Sequence, residues 1–112
     1  MITTPEVLRK VADHIERVGW IQGDMFAGEL FPDPASRPSL PCCALGAFIA
    51  ASPSRCMSRE HYSARYAFSE WLIDNDGQMS DSVVAWNDKP GQTAENVIAT
   101  LRRAADEIEA AS

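Results

Sequence analysis

Apolar residues recur at helical spacing in three stretches of the chain and lose that rhythm between them. Val7, Leu8, Val11, Ala12, Ile15 and Val18 line one face of a first helix. Thr4 is placed to cap it, Pro5 suits its first position, Glu6 meets the positive end of the dipole and Gly19 supplies the stop. Ser58-Arg59-Glu60 opens a second helix with a stripe of Ala64, Ala67, Phe68, Trp71 and Leu72, flanked by Tyr62 and Tyr66 and closed by Asn75-Asp76-Gly77. A third starts at Thr93 as cap, with Glu95 in its first turn, and carries Val97, Ile98, Leu101, Ala104, Ala105 and Ile108. The first and last stripes match in relative position. That predicts a common packing partner, in the segment 42–51 and the Trp71 helix.

Between these helices the pattern changes character. From Trp20 to Pro41, Gly23, Gly28, Pro32, Pro34 and Pro38 break any period, although Trp20-Ile21-Gln22 and Met25-Phe26 could pair as short strands of a hairpin. The run Cys42 to Ala51 is apolar almost all round, which predicts a short buried helix ended by Ser52-Pro53-Ser54. Gly46 inside it signals close approach to another element. Val83-Val84-Ala85-Trp86 is too brief to divide between helix and strand. The pattern as a whole predicts a mainly α fold. It is a single helical domain over 1–112, a small bundle of four or five helices with a long irregular loop at 20–41, or a short β-hairpin, after the first helix.

Composition narrows the function classes. At 112 residues the chain supports one modest core. A net charge of -6 and a pI near 4.7 repel a polyanion, so direct nucleic-acid binding is disfavoured. The longest near-apolar run falls well short of the ~20 residues that cross a bilayer, so no membrane association is expected. Three cysteines, two of them adjacent, make a poor disulfide framework and point to a reducing compartment; with no signal-peptide pattern at the start, the expected location is cytoplasmic.

The most specific local feature is Trp86-Asn87-Asp88-Lys89-Pro90-Gly91-Gln92-Thr93. Pro90-Gly91 fits the centre of a type II turn, Asn87 and Asp88 can fold onto nearby backbone amides, Thr93 caps the next helix and Trp86 anchors the loop to the core. With Gly19-Trp20, Gln22-Gly23 and Cys43-Ala44-Leu45-Gly46-Ala47, it resembles a family of small actinobacterial and actinophage proteins that carry a domain of unknown function. The resemblance runs from the first helix to the last. It implies a phage or actinobacterial accessory protein and no assigned activity. Ile21 stands where a cysteine can follow the tryptophan in that family, which removes one thiol from any chemistry needing two.

Three chemistries fit the residue types present. Cys43 near a helix start, His61 as base and Asp88 or Asn87 as orienter would make a small cysteine hydrolase or transferase, because helix N-termini lower thiol pKa values. Cys42 or Cys43 with Cys56, His61 and His14 would be a zinc set, though their spacing lacks the paired ligands that zinc motifs use, and no metal or cofactor is expected. Asp74-Asn75-Asp76-Gly77 fails as a calcium loop, since aligning its glycine puts Leu72 and Val83 at carboxylate positions; it reads as a helix end. No phosphate-binding glycine loop occurs.

The favoured expectation is a non-enzymatic protein-interaction module, phage-encoded and acting on an unidentified bacterial host protein. Its contacts would come from Trp20, Phe26 and Phe31 on the long loop and from Trp86, Asn87 and Asp88, because aromatic residues on loops are common anchors for a partner. A homodimer is compatible with the pattern.

Overall fold

A computed structural model describes residues 2–28, 36–52, 58–77 and 83–112. Among them are five α-helices and one short 3-10 turn: α1 Thr4–Val18, the turn Arg37–Ser39, α2 Ala44–Ala50, α3 Arg59–Asn75, α4 Val83–Asp88 and α5 Ala94–Ala111. The mainly helical expectation holds, and Val83 to Trp86 resolves as helix.

Each long helix starts on a hydroxyl. The Glu6, His61 and Asn96 amides donate to the side chains of Thr3, Ser58 and Thr93. The α1 cap is Thr3, one residue before the expected Thr4. The Thr3 hydroxyl also donates to Glu6 Oε1 at 3.1 Å, an N-cap-to-third-residue match that Thr4 lacks. At the other end Gly19 takes φ 104, and its amide closes on Ile15 O at 2.8 Å.

The matched stripes of α1 and α5 meet chiefly each other, not a shared partner as expected. α1 also packs on α2 and α3, while α5 makes a smaller contact with α3. Direct pairing buries both apolar stripes, and arginines cross from one helix to the other. Arg9 bonds Asp106 and Glu109, and Arg102 bonds Asp13 and Glu16. These bridges are solvent-exposed and add little stability, but they select register along a seam that Val7, Val11, Val97 and Leu101 bury completely. Phe68 of α3 lies at the centre of the aromatic packing, edge-on to Trp86 at 5.1 Å and 6.4 Å from Phe48. The four-residue motif 74–77 is indeed a helix end, with the Asp76 amide bonded to Leu72 O.

Of the two alternatives for the segment after α1, its described residues take the irregular loop and not the hairpin. Trp20 pairs in parallel with Cys42 and Phe26 pairs antiparallel with the same residue, so the two extended pieces flank Pro41–Cys43 and do not pair with each other. Ile21 N donates to Cys42 O and Cys42 N to Gly19 O on one side. Ala27 N donates to Pro41 O and Cys43 N to Met25 O on the other. Pro41 lacks an amide but keeps its carbonyl, so it can serve at this edge as acceptor only.

Candidate functional site

The end of α4, the segment 20–28 and the start of α2 are locked together by one side chain. Asn87 is fully buried, and its Oδ1 accepts from Trp20 Nε1 at 2.6 Å and from Ala44 N at 2.9 Å. Its Nδ2 donates to Ile21 O at 3.2 Å and to Asp88 Oδ1 at 2.9 Å. Two donors on one side and two acceptors on the other admit a single orientation of the amide, and all its hydrogen-bonding capacity is used. No hydrophobic residue of that shape could satisfy these groups.

The surrounding bonds extend the clamp. Asp88 Oδ1 also accepts from Gly23 N at 3.0 Å, and Gln22 Nε2 donates to Asn87 O and Lys89 O, both at 3.1 Å. The Pro90-Gly91 turn closes with Gln92 N on Lys89 O at 3.2 Å, with Gly91 at φ 82, as a type II turn requires. Gln92 then ties the loop to both neighbouring helices: its Nε2 donates to Trp86 O, and its Oε1 accepts from Asn96 Nδ2 at 2.6 Å. Asn87 and Asp88 thus bind amides some forty to sixty-five positions away, where the sequence pointed to nearby ones.

Gly46 completes the arrangement. A Cβ there would overlap the Met25 carbonyl oxygen and come within 3.0 Å of Cys42 Cβ, so only glycine lets the segment 25–27 lie against α2.

The expected contact residues divide by burial. Trp86 and Asn87 are fully buried and Phe26 nearly so, which makes them supports of the surface. Trp20 is half-buried, its indole N–H spent on Asn87, while Asp88 is exposed. Phe31 lies outside the described residues. Gln22, Gly46 and Gln92 were not among the candidate contacts, yet they carry the geometry. Gln22-Gly23 and Gly46 were visible as motif residues; the bonding role of Gln92 left no pattern in one sequence.

The hydrolase residues do not converge. Cys43 caps the start of α2, its Sγ accepting from Gly46 N at 3.4 Å, and lies close enough to feel the charge of Asp88. Both histidines stand at the opposite end, near Ala51, about 12 Å away at 1.5 Å of rise per residue. His61 Nδ1 is held by Ser58 Oγ at 2.8 Å, and His14 Nδ1 by Arg17 Nη2 at 3.1 Å. Burial lowers both histidine pKa values, helped by Lys10 at His61 and Arg17 at His14, while the Ala51 backbone pulls His61 the other way.

The thiols are held in their neutral form. Burial pushes Cys42 up to about 12, with the neighbouring Cys43 adding to it. Burial also raises Cys43, and Asp88 adds to this; the Gly46 and Leu45 amides offset it only in part. Peptide-resolved alkylation should find Cys43 at least about tenfold slower than free cysteine at pH 8. A rate at pH 6 above that of an ordinary thiol would show an activated nucleophile instead.

Among the described residues, no three histidine, cysteine or acidic side chains gather where they could hold a metal, and no helix is long and apolar enough to cross a membrane. Cys56, named in the zinc set, lies outside those residues. A family described as of unknown function, DUF6197, matches residues 1–107. No curated protein and no solved structure matches the chain.

Proposed function

The chain belongs to the DUF6197 family of unknown function, and from its geometry we propose that it is a non-enzymatic protein-interaction module. The observation that carries this reading is Asn87: a fully buried amide with every hydrogen bond spent on holding the segment 20–21, the start of α2 and the end of α4 in one shape. Such a network holds a surface in one shape. It supports an edge whose exposed rim is Asp24, Met25, Asp88, Pro90 and Gly91. A loop ordered before binding loses little entropy on binding, which is where a small recognition surface gains affinity.

The rim also describes its partner. Met25 is 43% exposed and follows the exposed Asp24 in the chain, Asp88 holds the Gly23 amide at 3.0 Å, and the cation Lys89 is drawn to Asp76 at 3.4 Å. A complementary surface has an apolar pocket edged by basic groups. The resemblance to actinobacterial and actinophage proteins supports reading that partner as a bacterial host protein.

A photo-crosslinking residue placed singly at Asp24 or Met25, in cells of the native host, should trap one and the same partner. The same residue at Ala99, exposed on α5, should trap none of it. Equal adducts from Ala99, or no adduct from either rim position, would remove the proposal.

A further inference from the structure

Two histidines lie inside the bundle, and their ring partners differ in what they allow. His14 on α1 is 6% exposed, His61 on α3 is 1% exposed, and both stand near Ala51 after α2. Ser58 Oγ, 2.8 Å from His61 Nδ1, is a hydroxyl that either donates or accepts, so it serves the neutral and the protonated ring alike. Arg17 Nη2, 3.1 Å from His14 Nδ1, can only donate. His14 Nδ1 is therefore the bare acceptor, and the proton of the neutral ring stands on Nε2, which is buried with no hydrogen-bond partner. The same Nη2 also donates to Pro38 O at 3.4 Å. One amino group thus joins α1 to the turn at 36–39, and its hold depends on a neutral His14.

The surroundings oppose a positive charge on that ring. Lys10, His14 and Arg17 follow one another along α1 at four- and three-residue spacing, and with Asp13 and Ala51 they line one shallow cavity. Asp13 is bonded to Arg102 of α5 at 2.8 Å. The end of α2 contributes the uncharged Ala51, α3 contributes His61, and the turn itself carries Arg37. Glu60 acts on His61. Burial first, and then the charge of Arg17, hold the His14 pKa below its ordinary value of about 6.5.

We propose that His14, Arg17 and Pro38 form an acid-released latch on the segment 36–39. A proton on Nδ1 removes the acceptor and sets two donors and two positive charges face to face. Arg17 and Pro38 are both exposed, so the guanidinium turns out into water and water replaces it on the Pro38 carbonyl. That local opening costs less than holding Arg17 against a charged ring. Leu40, packed in part against the core, keeps the following residues in place, so the release is confined to the turn. Because the closed latch lowers the His14 pKa, its stability is complete above about pH 6.5 and is lost as the pH falls from there through the lowered value.

NMR of the whole chain from about pH 8 to about pH 4.5 tests this, following the His14 ring and the Pro38 carbonyl carbon together. Both signals should titrate with one midpoint below about 6.5, and the heteronuclear NOE of the Ser39 amide should fall with them. In His14→Asn, whose amide oxygen can accept at the place of Nδ1 and does not titrate, the Pro38 signal should keep its neutral-pH position throughout. Arg17→Ala changes an exposed side chain and keeps the test open should His14→Asn fail to fold. There the Pro38 signal should stand at its acid position already at neutral pH, and the His14 midpoint should rise. A Pro38 signal that stays flat while His14 titrates, one that still moves in Arg17→Ala, or a His14 midpoint at or above about 6.5 would overturn the proposal.

Discussion

Replacing Asn87 with alanine should cost about 3–4 kcal/mol of folding stability and lower the melting temperature by about 15–25 °C. The loss exceeds that of one hydrogen bond because the substitution strands several groups at once, the Ala44 amide buried and the Trp20 and Ile21 groups half-buried. Trp20 Nε1, the Ala44 amide and the Ile21 carbonyl all lose their partner on one side chain, and a void opens where nothing collapses easily. Thermal denaturation followed by circular dichroism gives the shift, and hydrogen exchange should show the Ala44 amide losing protection. A double-mutant cycle isolates the cause. Trp20→Phe removes the stranded indole donor, so in the Asn87→Ala background it should cost about 1 kcal/mol less than it does alone. Additive costs would mean that the Trp20–Asn87 bond contributes nothing, and a drop under about 1 kcal/mol for Asn87→Ala would remove the clamp altogether.

Gly46→Ala should destabilise by about 2–3 kcal/mol, against the ordinary rule for helices. Gly46 has no positive φ, so in an open helix alanine would stabilise by about 0.5–1 kcal/mol. Contact reverses the sign. The obstruction is the Met25 carbonyl, a backbone atom that accepts from the Cys43 amide at 3.0 Å and cannot swing aside as a side-chain tip would. Relief requires the segment 25–27 to leave α2, so the loss of melting temperature should be accompanied by raised proteolytic sensitivity around Met25. Gly91→Ala serves as the comparison: space there is open and only the backbone conformation resists, at a cost of about 1 kcal/mol. A stabilised Gly46→Ala protein would show that the Met25 edge does not rest on α2.

The recognition rim is built by Asn87 and Gly46, so both substitutions should disorder it together.

The helices and most of their ends were legible in one sequence because the information is local. A 3.6-residue apolar period, a hydroxyl three positions before an amide and a glycine after the last turn act between neighbours in the chain, and they specified α1, α3 and α5 to within a residue. The special character of Gly46 and the Trp86–Thr93 loop was visible in the same way, as residues too costly or too unusual to be there without a reason. What they are for was decided only by the fold. Cys42 serves both Trp20 and Phe26 as a bridge partner, α1 seeks α5 through arginines some ninety positions apart, and Asn87 spans from Ile21 to Ala44. Those pairings depend on which backbone groups remain unsatisfied once the helices have packed, a quantity that no local pattern encodes. The same packing buried Phe26 and Cys43 and separated Cys43 from both histidines. It left Met25 exposed on the rim, the surface on which the proposed function rests.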